Sequence, residues 1–261
     1  MQLNGRVAME RLNFIFRHAG FGCKDSFATG GSMDGEEPDG STVSIDSVLW
    51  DIQNTTANGT NSDSVVVAYG FRRVAKDTVI SGSDVNCNRT NGPTITNNGD
   101  ANDVDDFKNY LAFVPDTGGN RFYQVQTVSL TGKNYVINLF QSNEELESGA
   151  DVYMVVPVRI MVVNNLLSFK NFAYKSSNLW EIAEHIQSLQ LQYTTDGSTW
   201  EDNPADLEDV IGVSFFVLTR TQRPDPDYTD TKSYTMAGQT VGPFQDSFHR
   251  KLFQGTVWLR N

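Results

Sequence analysis

The sequence predicts an α+β fold, with one N-terminal amphipathic helix packed on antiparallel β-sheet and long loop insertions between them. Three observations carry that reading. Residues 2–19 hold the clearest helical period in the chain, the second half alternates short apolar runs with turn residues, and Gly, Asn, Asp, Ser and Thr dominate 24–106. No repeat period or Pro/Ser-rich linker divides the 261 residues. A single unit is expected, with a helix at 1–20, a loop-rich region at 21–106 and an antiparallel β region at 107–261.

The helix comes first. Ala8, Leu12, Ile15 and Ala19 recur at i, i+4, i+7 and i+11, with Leu3, Val7, Phe14 and Phe16 widening the apolar arc. Arg6, Glu10, Asn13 and Arg17 recur on the other side. Arg6 and Glu10 are spaced for an i, i+4 ion pair, and Gly20, just past His18, supplies a C-terminal stop.

From 24 to 62 the chain reads as loop, with one short strand or turn near 48–52, before a strand at Ser64–Phe71. Residues 81–106 again read as turns, so Cys87 is expected in a loop. Cys23 and Cys87 are too few for a cysteine zinc site. One disulfide between them is the simplest functional reading, stabilising the fold by about 4 kcal/mol in an oxidising compartment; two unpaired buried cysteines are the alternative. Asp100, Asp103 and Asp105 are weak calcium candidates. They depart from the EF-hand pattern, because Val104 takes the fifth position, Asp105 stands where glycine is needed, and Leu111 stands where a bidentate Glu belongs. A solvated surface loop is the expectation there.

Strands then follow closely. Phe122–Leu130 and Tyr135–Phe140 flank a turn at 131–134, and Val152–Val163 is a long apolar run whose Pro157 suggests an edge position or a bulge. Trp180–Ile186 reads as a helical turn. Leu189, Leu191 and Tyr193 alternate with Gln190, Gln192 and Thr194, which predicts one buried and one wet face before a turn at Asp196-Gly197 toward Thr199 and Trp200. Ile211–Thr219 is apolar on both faces and is predicted to be a central strand, and Thr256–Leu259 a final one.

The composition narrows function. Twenty Lys plus Arg against thirty-two Asp plus Glu leave a net charge of −12, which disfavours nucleic acid and anionic membrane as partners. No run of about eighteen apolar residues is available to cross a bilayer. His18, His185 and His249 lie outside metal or catalytic spacings, and no Gly-x-Ser-x-Gly, phosphate-loop or dinucleotide glycine pattern occurs. The expectation is a protein without catalytic residues, cofactor or enzymatic activity.

Both ends of the chain resemble one family. Asn4-Gly5-Arg6-Val7-Ala8-Met9-Glu10-Arg11-Leu12, continuing to Arg17-His18-Ala19-Gly20-Phe21-Gly22-Cys23, resembles the helix exit of PilW-type minor pilins, where N-G-R-F-A-x-x-x-L runs into R-x-A-G-Y-x-G-C-like residues. Residues 182–197, 210–221 and 249–261 are similar, in the same order, to its A-E-G-I-x-x-L-x-x-x-Y-x-x-D, V-x-x-V-x-x-x-L-L-x-R and R-R-x-x-x-x-T-V-x-L-R-N segments. Position 185 is His where the family often has Gly, and residues 24–106 show no resemblance.

The resemblance implies a type IV pilin or pseudopilin-like fold and a non-enzymatic minor pilin that helps initiate type IV pilus assembly at or near the tip. Its partners would be other minor pilins and the major pilin. It would be extracytoplasmic, anchored in the inner membrane with a periplasmic domain before assembly and then carried to the pilus and cell surface. Membrane contact would be made only through an N-terminal helix upstream of Met1. The context favours the Cys23–Cys87 disulfide. It also divides the helix, with Ala8, Leu12 and Ile15 on the sheet and Leu3, Val7 and Phe14 facing other pilins. A type II secretion minor pseudopilin shares this plan. From a different class, a calcium- or glycan-binding surface module would use Trp200 and Tyr228 as contacts.

Overall fold

The computed structural model describes residues 2–20, 33–36, 42–45, 49–81, 84–89, 110–114, 121–131, 134–139, 148–171, 179–207 and 209–259. One helix, α1 (Gln2–Arg17), precedes the strands. The first strands are β1 (Met33–Glu36), β2 (Thr42–Ile45), β3 (Leu49–Gln53), β4 (Ser64–Ser81), β5 (Asp84–Arg89), β6 (Tyr110–Val114), β7 (Arg121–Thr131) and β8 (Asn134–Leu139). They are followed by β9 (Asp151–Val163), β10 (Leu166–Asn171), β11 (Leu179–Glu184), β12 (Ile186–Thr194), β13 (Gly212–Arg220), β14 (Tyr234–Met236), β15 (Gln239–Val241) and β16 (Arg250–Trp258). Among the described residues, all strand pairings are antiparallel.

Two sheets carry the fold. A nine-stranded sheet runs β11-β10-β9-β6-β7-β8-β5-β4-β3, and an added β4–β9 ladder closes β9, β6, β7, β8, β5 and β4 into a ring. A three-stranded sheet, β12-β13-β16, lies under α1. Helix residues Ala8, Leu12, Ile15 and Phe16 join Leu189, Leu191, Tyr193, Val213, Phe215, Val217 and Val257 in one core, which continues into Val65, Val67, Val158 and Ile160 of the larger sheet. On the other face of β13, Phe216 and Leu218 pack with Tyr234, Met236 and Val241 of the β14–β15 hairpin. Apolar residues on both faces therefore do mark β13 as a central strand.

Several sequence expectations change. The segment read as a helical turn at Trp180–Ile186 is instead most of β11, the corner at His185 and the first residue of β12. The chain crosses there from one sheet to the other, and His185 makes the corner in the left-handed region at φ 61°. Residues 81–106 are not all turn, because β5 pairs with β8 and sets Cys87 opposite Tyr135 in a strand. Cys23 lies outside the described residues, as do Asp100, Asp103 and Asp105. Strand β9 is interior rather than an edge. Pro157 faces Ala68 of β4, while on the other flank the β10 ladder ends at Val158 and the β6 ladder at Met154. Pro157 thus sits in the gap where that flank changes partner, and a residue without an N–H is tolerated there.

On the predicted wet face of β12, Gln190 and Thr194 are buried and Gln192 is half-buried. Residues 54–63 run along this outer strand and satisfy its polar groups: Asp63 N–H donates to Leu189 O at 2.8 Å, Leu191 N–H to Asp63 Oδ2 at 2.8 Å, and Leu189 N–H to Ser62 Oγ at 3.1 Å. Ser188 Oγ donates to Asn61 O, and Gln187 Nε2 to Gly59 O, both at 2.6 Å. Burial of Asp63, only 2% exposed, pushes its carboxyl above the ordinary value, opposed by the Thr55 and Leu191 N–H groups. Periodicity cannot report such a cover, because the covering segment is distant in sequence and irregular.

A buried arginine ties down the C-terminal loops. Arg250 Nη1 donates to Asp230 Oδ2 at 3.0 Å and Asp246 Oδ1 at 2.6 Å, Nη2 to Asp246 Oδ2 at 2.6 Å, and Nε to Gln187 Oε1 at 2.8 Å. Burial alone would lower its pKa, but the bonds to Asp246 and Asp230 reverse that and hold it above the ordinary value.

Candidate functional site

Helix α1 has two unlike sides. Its inner side is flush with the sheet because two glycines let the backbones approach. A Cβ on Gly255 of β16 would stand 2.7 Å from Phe215 Cζ and 2.8 Å from Met9 Cε, and one on Gly5 would stand 2.2 Å from Phe253 Cε2. Ala8, Leu12, Ile15 and Phe16 fill that side, with Phe16 stacked on Phe215 at 5.9 Å. Phe16 belongs to the core rather than to the wider arc, as its i, i+4 spacing from Leu12 would have shown.

The outer side carries Leu3 at 72% exposure and Phe14 at 49%. Val7, expected with them, is half-buried against the core edge. Arg6, Glu10, Arg11 and Arg17 are exposed around this stripe. The expected Arg6–Glu10 ion pair does not form; at an exposed site such a pair gains too little to order two long side chains. His18 closes the last turn through Nδ1 and Phe14 O at 2.7 Å, with its ring 4.4 Å from that of Phe14. Gly20 then leaves the helix at φ 68°, and its N–H donates to Ala68 O of β4 at 3.3 Å. The predicted stop therefore also joins the helix to the larger sheet.

Trp200 and Tyr228 are not brought together. Trp200 is half-buried against Trp258 at the end of β16, with ring centroids 6.1 Å apart. Tyr228 lies at the other end, stacked 3.7 Å from His249, whose Nε2 meets Asp225 Oδ2 at 2.9 Å. The Tyr228 hydroxyl donates to Asp230 Oδ1 at 3.2 Å. These contacts give the ring a structural role.

The Asp196-Gly197 turn matches its sequence reading. Gly197 takes φ 79°, and Asp196 Oδ1 accepts from Ser198 N–H and Thr199 N–H, each at 2.7 Å. The Thr199 bond, followed by that of Ser198, holds the Asp196 carboxyl well below the ordinary value. Among the described residues, no group of three or more His, Cys, Asp or Glu is arranged to hold a metal ion, and no helix is long and apolar enough to cross a membrane.

Residues 164–261, which span β10 to β16, match the family model of type IV pilus-assembly protein W, PilW. No curated protein matches the chain. Among solved structures, a type IV-like pilin from Thermus thermophilus is similar over 57% of this chain and 81% of its own, at 14% identity and a TM-score of 0.30. Through residues 164–261, this chain is matched to the PilW family of type IV pilus-assembly proteins.

Proposed function

We propose that the chain is a non-enzymatic minor pilin that helps initiate type IV pilus assembly at or near the tip, and that Leu3, Val7 and Phe14 contact other minor pilins and the major pilin. The observation that carries this is the exposed Leu3–Phe14 stripe on a helix whose opposite side is sealed onto its own sheet. The PilW match over 164–261 supports the setting. A helix that needs only one side for its own fold has the other free for association. Before assembly the domain would be periplasmic and anchored to the inner membrane through an apolar helix preceding α1. Cys23 and Cys87 would form a disulfide there, and mass spectrometry of the unreduced protein should then find no free thiol.

The test is capture of the soluble parts of other pilins from the same genome by the immobilised chain. Capture that falls at least tenfold when Leu3, Val7 and Phe14 are changed to Ser, with the melting temperature kept, is the expected result. Capture that ignores those changes would overturn the assignment of this stripe.

A further inference from the structure

The three-stranded sheet carries α1 on one face and an exposed aromatic patch on the other. Gly255 lies under Met9 and Phe215, and Val257 joins the core beneath the helix. Strand alternation sends the next residue, Trp258, to the opposite face. There its ring lies against Gly212, close to Gly197, with Ile211 beside that glycine and Trp200 at 6.1 Å. The β14–β15 hairpin covers Phe216 and Leu218 on this face but leaves Trp258 52% exposed, and Ile211, at the same end of the sheet beside Gly197, is 39% exposed.

The two faces differ in charge. Asp196, Glu201 and Asp209 are exposed and lie within two residues of Gly197, Trp200 and Ile211, against one base in the same sequence neighbourhood, Arg260, two residues past Trp258. On α1 three exposed arginines, Arg6, Arg11 and Arg17, face a single acid, Glu10, although the chain as a whole carries −12. Helical geometry sets Arg6 and Arg17 on one side of the Leu3–Phe14 stripe and Arg11 on the other. Among the described residues, none of these arginines and none of the three acids of the patch forms an ion pair.

We propose that the Trp258–Trp200–Ile211 patch of one copy of this chain receives the Leu3–Phe14 stripe of a second copy, with Asp196, Glu201 and Asp209 set against Arg6, Arg11 and Arg17. The inference rests on the reading of that stripe as an assembly surface and names the surface that meets it. Because the two partners lie on opposite faces of one molecule, the contact is head-to-tail and need not close. Each copy then keeps one free patch or one free stripe at its end, so further copies add in a row with the same contact.

Sedimentation velocity of the full chain up to about 1 mM tests this. The average mass should rise with concentration at low salt, with the dissociation constant weakened at least tenfold at about 0.5 M salt. Trp258→Ser and Phe14→Ser, both exposed positions checked by melting temperature, should each stay monomeric. Mixed one to one they should form dimers and stop there, because each supplies the surface that the other lacks. A monomeric wild type at the highest concentration, association that survives Trp258→Ser, or a mixture that stays monomeric would each overturn the proposal. Loss of this self-association while stripe-dependent capture of other pilins persists would remove this contact alone. Capture indifferent to the stripe would instead remove the assembly reading beneath it.

Discussion

His185 shows how one residue records a change of sheet. The chain leaves β11, bonded to β10, and enters β12, bonded to β13, within a single residue. That residue takes φ 61°, with Ile186 N–H donating to Asn165 O at 2.9 Å and Arg220 N–H to His185 O at 3.0 Å. Left-handed backbone is open to Gly, tolerated by His and unfavourable for β-branched residues. A glycine, which the resembling family often has at this position, would fit this backbone without strain. His185→Gly should leave stability unchanged or raise it by up to about 1 kcal/mol, whereas His185→Val should lower it by about 1–2 kcal/mol. Urea midpoints of the two variants, compared at equal slope, check the difference.

At the scale of the element, α1 is positioned by what β16 lacks. Gly255 admits Met9 and Phe215 where a methyl would meet both under 3.0 Å. Phe215 is fully buried and cannot swing aside. Gly255→Ala should therefore cost about 1–3 kcal/mol by overpacking, and amide exchange should show α1 loosening ahead of β13, as an element held mainly by that contact opens first. Equal loosening of both elements would show that the helix is held elsewhere. The helix itself was legible in the sequence, since sixteen residues with a helical apolar period leave little choice of structure, but which of its apolar arcs lies on the sheet was not fixed by that period. The cover on β12 was not legible. Gln190 looks like a solvent-facing residue until 54–63 is laid across it, and Asp63, the acceptor that anchors this cover, belongs to a stretch that reads as loop.

The whole molecule should be acid-sensitive in a way set by carboxylates whose pKa values are shifted in opposite directions. Arg250 holds the Asp246 carboxyl below the ordinary value of 3.8, and the hydrogen bond from His249 does the same for Asp225. Both groups bind protons less readily folded than unfolded, so they contribute stability above about pH 4 that is lost as pH falls through their lowered values. Asp63 acts in the opposite sense. Its burial raises the folded value above 3.8, so its charged form costs stability at neutral pH and that cost is relieved first on acidification. Thermal melting should hold level from neutral pH to about pH 5 and fall below about pH 4. Asp246→Asn should flatten that fall and lower the melting temperature at neutral pH, and an unchanged acid limb in this variant would shift the cause elsewhere.

The sequence alone determined what depends on local pattern: the helix, the stop at Gly20, the central place of β13, the Asp196-Gly197 turn, and the family resemblance, which the match over 164–261 bears out. Each is written within a few residues, where periodicity and backbone preference act directly. Tertiary structure decided what depends on residues far apart in the chain. It closed β4 on β9 to make a ring, put Pro157 at an interior change of partner rather than an edge, and buried Arg250 between Asp230 and Gln187. It also set the Trp258 patch and the Leu3–Phe14 stripe on opposite faces. The physical reason is that a side chain's period gives it a face, while only the partner that packs there decides whether that face is core, lining or open surface.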